Sequence, residues 1–237
     1  MSPSPAPDRS AAFFDVDGTL ADTNVVHYYV YFRRRQMSPI VGHLWQVAYL
    51  IKCLYYLVVD RIDRRIFNTI FYRGYTGQDA AALRMLAPDC HRDVTKPRQF
   101  RQGSDCIEAH RGAGRRIVLV TGSIDFIVAP LAGELGADDV LAPALVEVDG
   151  RFTGSLDGPP VADREKARRV QQLAKEHDID LSQSYAYGDS IADLPMLEAV
   201  GHPQAVNPDK ALGKIAATRG WPIHRWTIAS QPEATVT

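Results

Sequence analysis

Asp15-Val16-Asp17-Gly18-Thr19-Leu20 follows directly on Ala11-Ala12-Phe13-Phe14. An apolar run that breaks into a turn carrying Asp and Gly reads as a buried strand reaching its carboxyl edge. Residues i and i+2 of a strand point the same way, so the carboxylates of Asp15 and Asp17 share a side. One can attack an electrophile while the other handles the leaving-group proton, and Gly18 lets the chain fold sharply behind them. Taken alone, the same residues also make an ordinary turn. What decides between the two readings lies downstream.

Arg115-Arg116-Ile117-Val118-Leu119-Val120 reads as a buried β-branched strand, and it ends in Thr121-Gly122-Ser123 at the start of a helix. Backbone N–H groups at a helix N-terminus, with a hydroxyl beside them, form a seat for phosphoryl oxygens. Lys166 stands in the first turns of the amphipathic stretch 163–177, where one ammonium can neutralise a phosphate and an attacking carboxylate together. Tyr185 to Pro195 gives another strand-to-turn transition, now carrying Asp189 and Asp193.

In this order the four motifs resemble those of the haloacid dehalogenase superfamily phosphatases, close to the phosphoserine-phosphatase-like branch (subfamily IB) with a helical C1-type cap. They span Asp15 to Asp193, roughly three quarters of the chain. The resemblance implies an α/β fold, a Rossmann-like three-layer core with a parallel sheet plus an inserted all-helical cap domain. It implies magnesium-dependent hydrolysis of a phosphomonoester through an aspartyl-phosphate, with Asp15 as nucleophile and Asp17 as acid and base. Thr121 and the amides of Gly122 and Ser123 would bind the phosphoryl oxygens, with Lys166 balancing charge. Mg2+ would be held by the Asp15 carboxylate, the Asp17 backbone carbonyl and Asp189, while Asp193 orients the surrounding water or Lys166. A phosphotransferase or phosphomutase would share the intermediate and return the phosphoryl group to a second substrate. A dehalogenase has no need of the acid at Asp17.

The chain departs from phosphoserine phosphatases where substrate is read. Those enzymes carry an acidic residue shortly after the first motif to meet the substrate ammonium; Asn24 stands there, and Asn supplies no charge. An Asn common in their last motif is replaced among Ser190, Ile191 and Ala192. Phosphoserine is thereby disfavoured, and a small or amphipathic phosphomonoester is expected. Asn24, His27, Arg65, Asn68 and Arg73 are the candidate substrate contacts.

The 237 residues suffice for one α/β core with a smaller insertion. A formal net charge of −1 argues against a general nucleic-acid binder. Cys53, Cys90 and Cys106 show no CxxC spacing and read as free thiols of a reducing compartment, the cytoplasm. Residues 1–10 are Pro- and Ser-rich without an apolar centre, which reads as a disordered tail and not a secretory signal; 229–237 read as a second flexible tail. Helix-like sequence from 21 to 103 is expected to form the cap, with 11–20 and 104–228 forming a discontinuous core. Val140 to Thr153, turning at Asp149-Gly150, is expected to be a hairpin within that core.

Between Ile40 and Val59, His43, Gln46, Tyr49, Cys53 and Tyr56 recur at helical spacing. They leave a wide apolar face of Leu44, Val47, Leu50, Ile51, Leu54, Leu57 and Val58. The stretch is short of the ~20 apolar residues of a membrane span and is interrupted by Lys52. The expected arrangement is a cap helix buried through this face. The alternative is peripheral contact of that face, flanked by Arg33, Arg34, Arg35, Arg61, Arg64 and Arg65, with lipid or an acyl-chain substrate. The sequence leaves the oligomeric state open.

Overall fold

In the computed structural model, which describes residues 9–62 and 64–228, Ala11–Phe14 forms strand β1 and is buried at every position. Burial on both faces accounts for the unbroken apolar run, since a central parallel strand has no solvent side. The chain then turns helical: α1 (Val25–Arg35), α2 (Pro39–Ile62), α3 (Arg64–Tyr72), α4 (Ala80–Cys90), a π-helical turn (His91–Thr95) and α5 (Arg101–Gly112). Strand β2 (Arg116–Val120), α6 (Asp125–Leu135) and β3 (Asp139–Leu141) follow, then β4 (Leu145–Val148), β5 (Arg151–Leu156) and α7 (Arg164–Glu176). The chain closes with β6 (Tyr185–Gly188), α8 (Leu194–Glu198), β7 (His202–Val206), α9 (Lys210–Arg219) and β8 (Ile223–His224).

Six of these strands form one parallel sheet in the order β3-β2-β1-β6-β7-β8. Phe13 lies opposite Val118 on one side and Ala186 on the other. The strand order runs outward from β1 through β2 and β3, then returns to the far side of β1 at β6. That reversal opens a crevice at the carboxyl ends of β1 and β6, the usual ligand edge of such a sheet. Alternate residues face opposite layers. Ala12, Phe14, Ile117 and Leu119 pack with Ile107 of α5 and Val128 and Leu131 of α6. Ala11, Phe13, Val118 and Val120 pack with Val170 of α7, Met196 of α8 and Leu212 of α9. The result is the α/β three-layer core, and each of its buried Val, Leu, Ile, Phe and Met side chains contributes about 1.5–3 kcal/mol by leaving water.

A further apolar cluster is mainly aromatic. Tyr28, Tyr29, Phe32, Tyr49, Phe67, Phe71, Tyr72 and Tyr75 are buried together with Phe152 and Leu145 of the hairpin. Val140 belongs to β3 of the main sheet, and the hairpin β4–β5 packs on the helical segment, not within the core as expected from sequence. Its backbone is tied there: Gly77 N–H donates to the Phe152 carbonyl (2.8 Å) and Ala80 N–H to the Gly150 carbonyl (2.9 Å). Its turn is Asp149-Gly150, both at positive φ, the twist-matched geometry of tight hairpins.

Helix α2 does not pack through its aliphatic face. Trp45 and Tyr49 stack on one another at 4.7 Å between ring centroids, and both meet Tyr29. Leu44, Val47 and Leu50 instead face solvent, 55–66% exposed. The aromatic line outcompetes the aliphatic one because it enters an already aromatic cluster, where rings add edge and stacking contacts to area burial. The side chains of Ile51, Leu54, Leu57, Val58, Arg61, Arg64 and Arg65 lie outside what the structure describes. Among the described residues no helix is long and apolar enough to cross a membrane.

Of the expected amino-terminal tail, Arg9 and Ser10 are part of the fold. Ser10 is buried, Arg9 pairs with Asp178, and Asp180 N–H donates to the Arg9 carbonyl at 2.7 Å. Residues 1–8 and 229–237 lie outside the described residues. The helical segment rejoins the core at Phe100, whose N–H donates to the Leu20 carbonyl (2.9 Å), so α5 begins at Arg101, before the expected boundary at 103/104.

Candidate active site

Asp15 stands one residue beyond β1, with its N–H donating to the Tyr187 carbonyl of β6 at 3.0 Å. The parallel pairing therefore continues into the site and fixes the carboxylate. Asp15 is 4% exposed, and its Oδ1 accepts from Lys166 Nζ at 2.5 Å. The same ammonium donates to Asp193 Oδ1 at 2.6 Å. Burial pushes the Asp15 carboxyl up to about 7, opposed by the Lys166 charge. Burial alone would lower Lys166, but Asp15 and Asp193 outweigh it and hold the ammonium protonated, its pKa raised.

Asp193 is itself held by the turn that carries it. Its Oδ2 accepts from the N–H groups of Asp189 (3.2 Å) and Ser190 (3.1 Å) and from Ser190 Oγ (3.1 Å). This closeness needs Gly188, where a Cβ would lie 2.6 Å from Asp193 Cβ. Asp15, Asp189 and Asp193 each bring an oxygen within 4.8 Å of the others. Because both Asp193 oxygens are engaged, Asp15 and Asp189 are the carboxylates of this group better placed to bind a cation. Thr19 Oγ1 donates to Asp189 Oδ1 at 3.3 Å.

Gly18 bears on Asp189 directly. It adopts φ +94°, and a Cβ there would stand 2.3 Å from Asp189 Oδ2. An alanine meets both backbone strain and a carboxylate that must move. Gly18→Ala is expected to displace the Asp189 carboxylate and to weaken binding of an added divalent cation by about tenfold or more, as read by calorimetric titration.

Asp17 is aimed differently from Asp15. Its Oδ1 accepts from Thr23 Oγ1 (2.8 Å) and Tyr28 Oη (3.0 Å). Its Oδ2 accepts from Ser123 Oγ (2.6 Å) and, more weakly, Thr121 Oγ1 (3.5 Å). Thr121 Oγ1 in turn accepts the Ser123 N–H at 3.0 Å. The Thr-Gly-Ser turn at the end of β2 and the Asp pair at the end of β1 thus meet, as neighbouring parallel strands require. From the helical side, Tyr72 Oη donates to the Gly122 carbonyl at 2.6 Å.

Thr23, Tyr28 and Tyr72 carry no sequence signal of a site, since each reads as an ordinary helix-flanking or core residue. Tyr28→Phe removes one of the two donors on Asp17 Oδ1. For a reaction that uses the Asp17 carboxylate, misplacing it is costly, and kcat is expected to fall about tenfold with KM nearly unchanged in steady-state assays.

A cavity of about 310 Å3 lies over these groups, lined by Asp15, Asp17, Ser123, Lys166 and Asp189 from the core and by Asn24, His27, Cys53 and Asn68 from the helices. Asn24 caps α1: its Oδ1 accepts from Val26 N–H (3.0 Å) and His27 N–H (3.2 Å), and its own N–H donates to His27 Nδ1 (3.2 Å). Burial lowers the His27 pKa, with Arg98 adding to the effect. Asn68 is buried at the cavity wall. Arg73 is not brought there; it is exposed on a 3-10 turn whose carbonyl accepts from Thr76 Oγ1, beside the hairpin. The Arg65 side chain lies outside the described residues.

The family profile described as haloacid dehalogenase-like hydrolase matches residues 12–198. A probable phosphatase of Mycobacterium tuberculosis is 34% identical over 220 residues, covering 91% of this chain and 75% of that protein. A histidinol-phosphatase of Neisseria meningitidis is 29% identical over 237 residues, covering 91% and 98%. A phosphoserine phosphatase solved as a phospho-aspartyl intermediate analogue shares the fold at TM-score 0.65 and 18% identity, over 92% of this chain and 93% of that one. The profile match covers most of the chain and takes in Asp15, Thr121, Lys166 and Asp189: the chain belongs to the haloacid dehalogenase-like hydrolase family.

Proposed function

We propose that this chain is a magnesium-dependent phosphomonoester hydrolase working through an aspartyl-phosphate on Asp15. The observation that carries the reading is the buried Lys166 ammonium bridging Asp15 and Asp193, with a second carboxylate, Asp17, separately anchored two residues away. Two acids in such different surroundings can take different parts. The Asp15 carboxylate attacks phosphorus, and the bond to the ester oxygen breaks. Asp17 gives the departing oxygen its proton, then takes one from the water that cleaves the aspartyl-phosphate. Ser123 and Thr121, whose hydroxyls donate to Asp17 in the free site, turn them to the phosphoryl oxygens when a phosphate enters, beside the Gly122 and Ser123 amides. Lys166 favours the ionised form of Asp15 against the effect of burial and offsets charge as it accumulates.

The donor set fits magnesium, since every candidate ligand is oxygen and Asp193 is left to hold Lys166. Asp15, Asp189 and the Asp17 carbonyl would hold the ion. Once bound, it would supply the charge that lets an ionised carboxylate approach a dianionic phosphate.

The helical segment serves as a cap that limits substrate size. Among the described residues the carboxylates lining the cavity are Asp15, Asp17, Asp189 and Asp193, all of them part of the core site, and Asn24 supplies no charge to a substrate ammonium. This favours a small or amphipathic monoester over an amino-acid phosphate, although a relative is named for histidinol phosphate. Cys53, Cys90 and Cys106 are free thiols, which supports a cytoplasmic setting. A phosphate-release screen with magnesium across aryl, amino-acid, sugar, nucleotide and lipid monoesters tests the reading. Release from at least one class without a second acceptor is expected; no release from any class, or release only with an acceptor, would overturn it.

A further inference from the structure

A second cavity, about 710 Å3 and more than twice the size of the first, opens between α1, α2 and the π-helical turn. The two adjoin: Val26, His27 and Cys53 line both. Beyond that junction Val30, Met37, Tyr49, Leu50 and Val94 form an apolar strip of the wall, beside Gln46 and the charged Arg34, Arg35, Asp93 and Arg98. Three of those four charged residues are engaged within the protein. Arg35 pairs with Asp93 at 2.9 Å, and Arg98 Nη1 donates to the Val94 carbonyl at 2.8 Å. The aromatic packing of α2 creates this wall, because turning Trp45 and Tyr49 inward leaves Leu50 along the groove.

We propose that this groove is the subsite for the body of the substrate, and that the monoester it takes carries an unbranched apolar chain. The phosphate sits over Asp15, and the chain runs past Val26 and Cys53 into the groove. A short polar ester fills the first cavity and leaves the second to water, whereas an alkyl or acyl chain removes apolar wall from water along its length. The inference rests on the hydrolase reading for its phosphate end, and its test separates the two.

Binding of methyl-, hexyl- and decylphosphonate in the presence of magnesium is measured by calorimetry, alongside hydrolysis of 4-nitrophenyl phosphate. Affinity is expected to rise by about fourfold for each methylene that enters the groove. Val30→Trp, which fills the groove, and Leu50→Arg, on its exposed edge, are each expected to cut the decyl-to-methyl affinity ratio by at least about tenfold. The wild-type series decides the matter even where a variant folds poorly. Hydrolysis of the aryl ester with phosphonate affinity independent of chain length would overturn the groove assignment alone. Affinity that climbs with chain length and drops in both variants supports the groove, even if no ester is hydrolysed; the hydrolase reading is then what fails.

Discussion

Asp15→Asn is expected to lower kcat for 4-nitrophenyl phosphate by about 10⁴-fold or more, with little change in KM. An amide cannot attack phosphorus, so the first displacement is lost, while binding through Ser123, Gly122 and Lys166 is retained. The variant should fold, because Asn keeps the volume of a side chain that is 4% exposed and relieves a carboxylate that burial has pushed up to about 7. Circular dichroism and thermal melting close to wild type, beside lost turnover, would assign the defect to chemistry. Turnover within tenfold of wild type would contradict a covalent role for Asp15.

Lys166→Met is expected to damage both stability and rate. The ammonium is 5% exposed and touches two carboxylates at 2.5 and 2.6 Å. Its loss leaves Asp15 and Asp193 buried beside one another without a cation, at a cost of about 3 kcal/mol by urea unfolding in chelator. With magnesium added, kcat is expected to remain at least about 10³-fold low, since the charge balance at the reacting phosphate is gone. Lys166→Arg should not restore it, because a planar guanidinium cannot replace a compact charge seated between two oxygens at such short range. Near-normal kcat in Lys166→Met would show that the ammonium serves folding alone.

The core motifs were legible because each is local. Asp15 and Asp17, Thr121 to Ser123, and Asp189 with Asp193 all follow buried strands, and parallel pairing of β1 with β2 and β6 brings the strand ends together without further information. Lys166 was legible only through the joint resemblance of the four motifs, since a lone Lys on an amphipathic helix is ordinarily a solvated charge. The helical segment was not legible in the same way. Helical periodicity shows that a helix has two faces but not which one a partner will choose. On α2 the aromatic cluster around Tyr29 drew in Trp45 and Tyr49 and turned Leu44 and Val47 outward. For the same reason Tyr28 read as one more core aromatic, although its hydroxyl reaches Asp17. Asn24, a candidate substrate contact by its position, lines the cavity while its side-chain oxygen caps α1, a role its position after the first motif does not reveal.

The central claim is that phosphate passes through Asp15. Acid quench of the enzyme during turnover with magnesium and a phosphomonoester, followed by peptide mass spectrometry, tests it most directly. The expected result is a hydroxylamine-labile phosphoryl group on the peptide containing Asp15, formed as fast as turnover and absent from Asp15→Asn. Steady phosphate release with that peptide unmodified, or with the phosphoryl group on another residue, would contradict it.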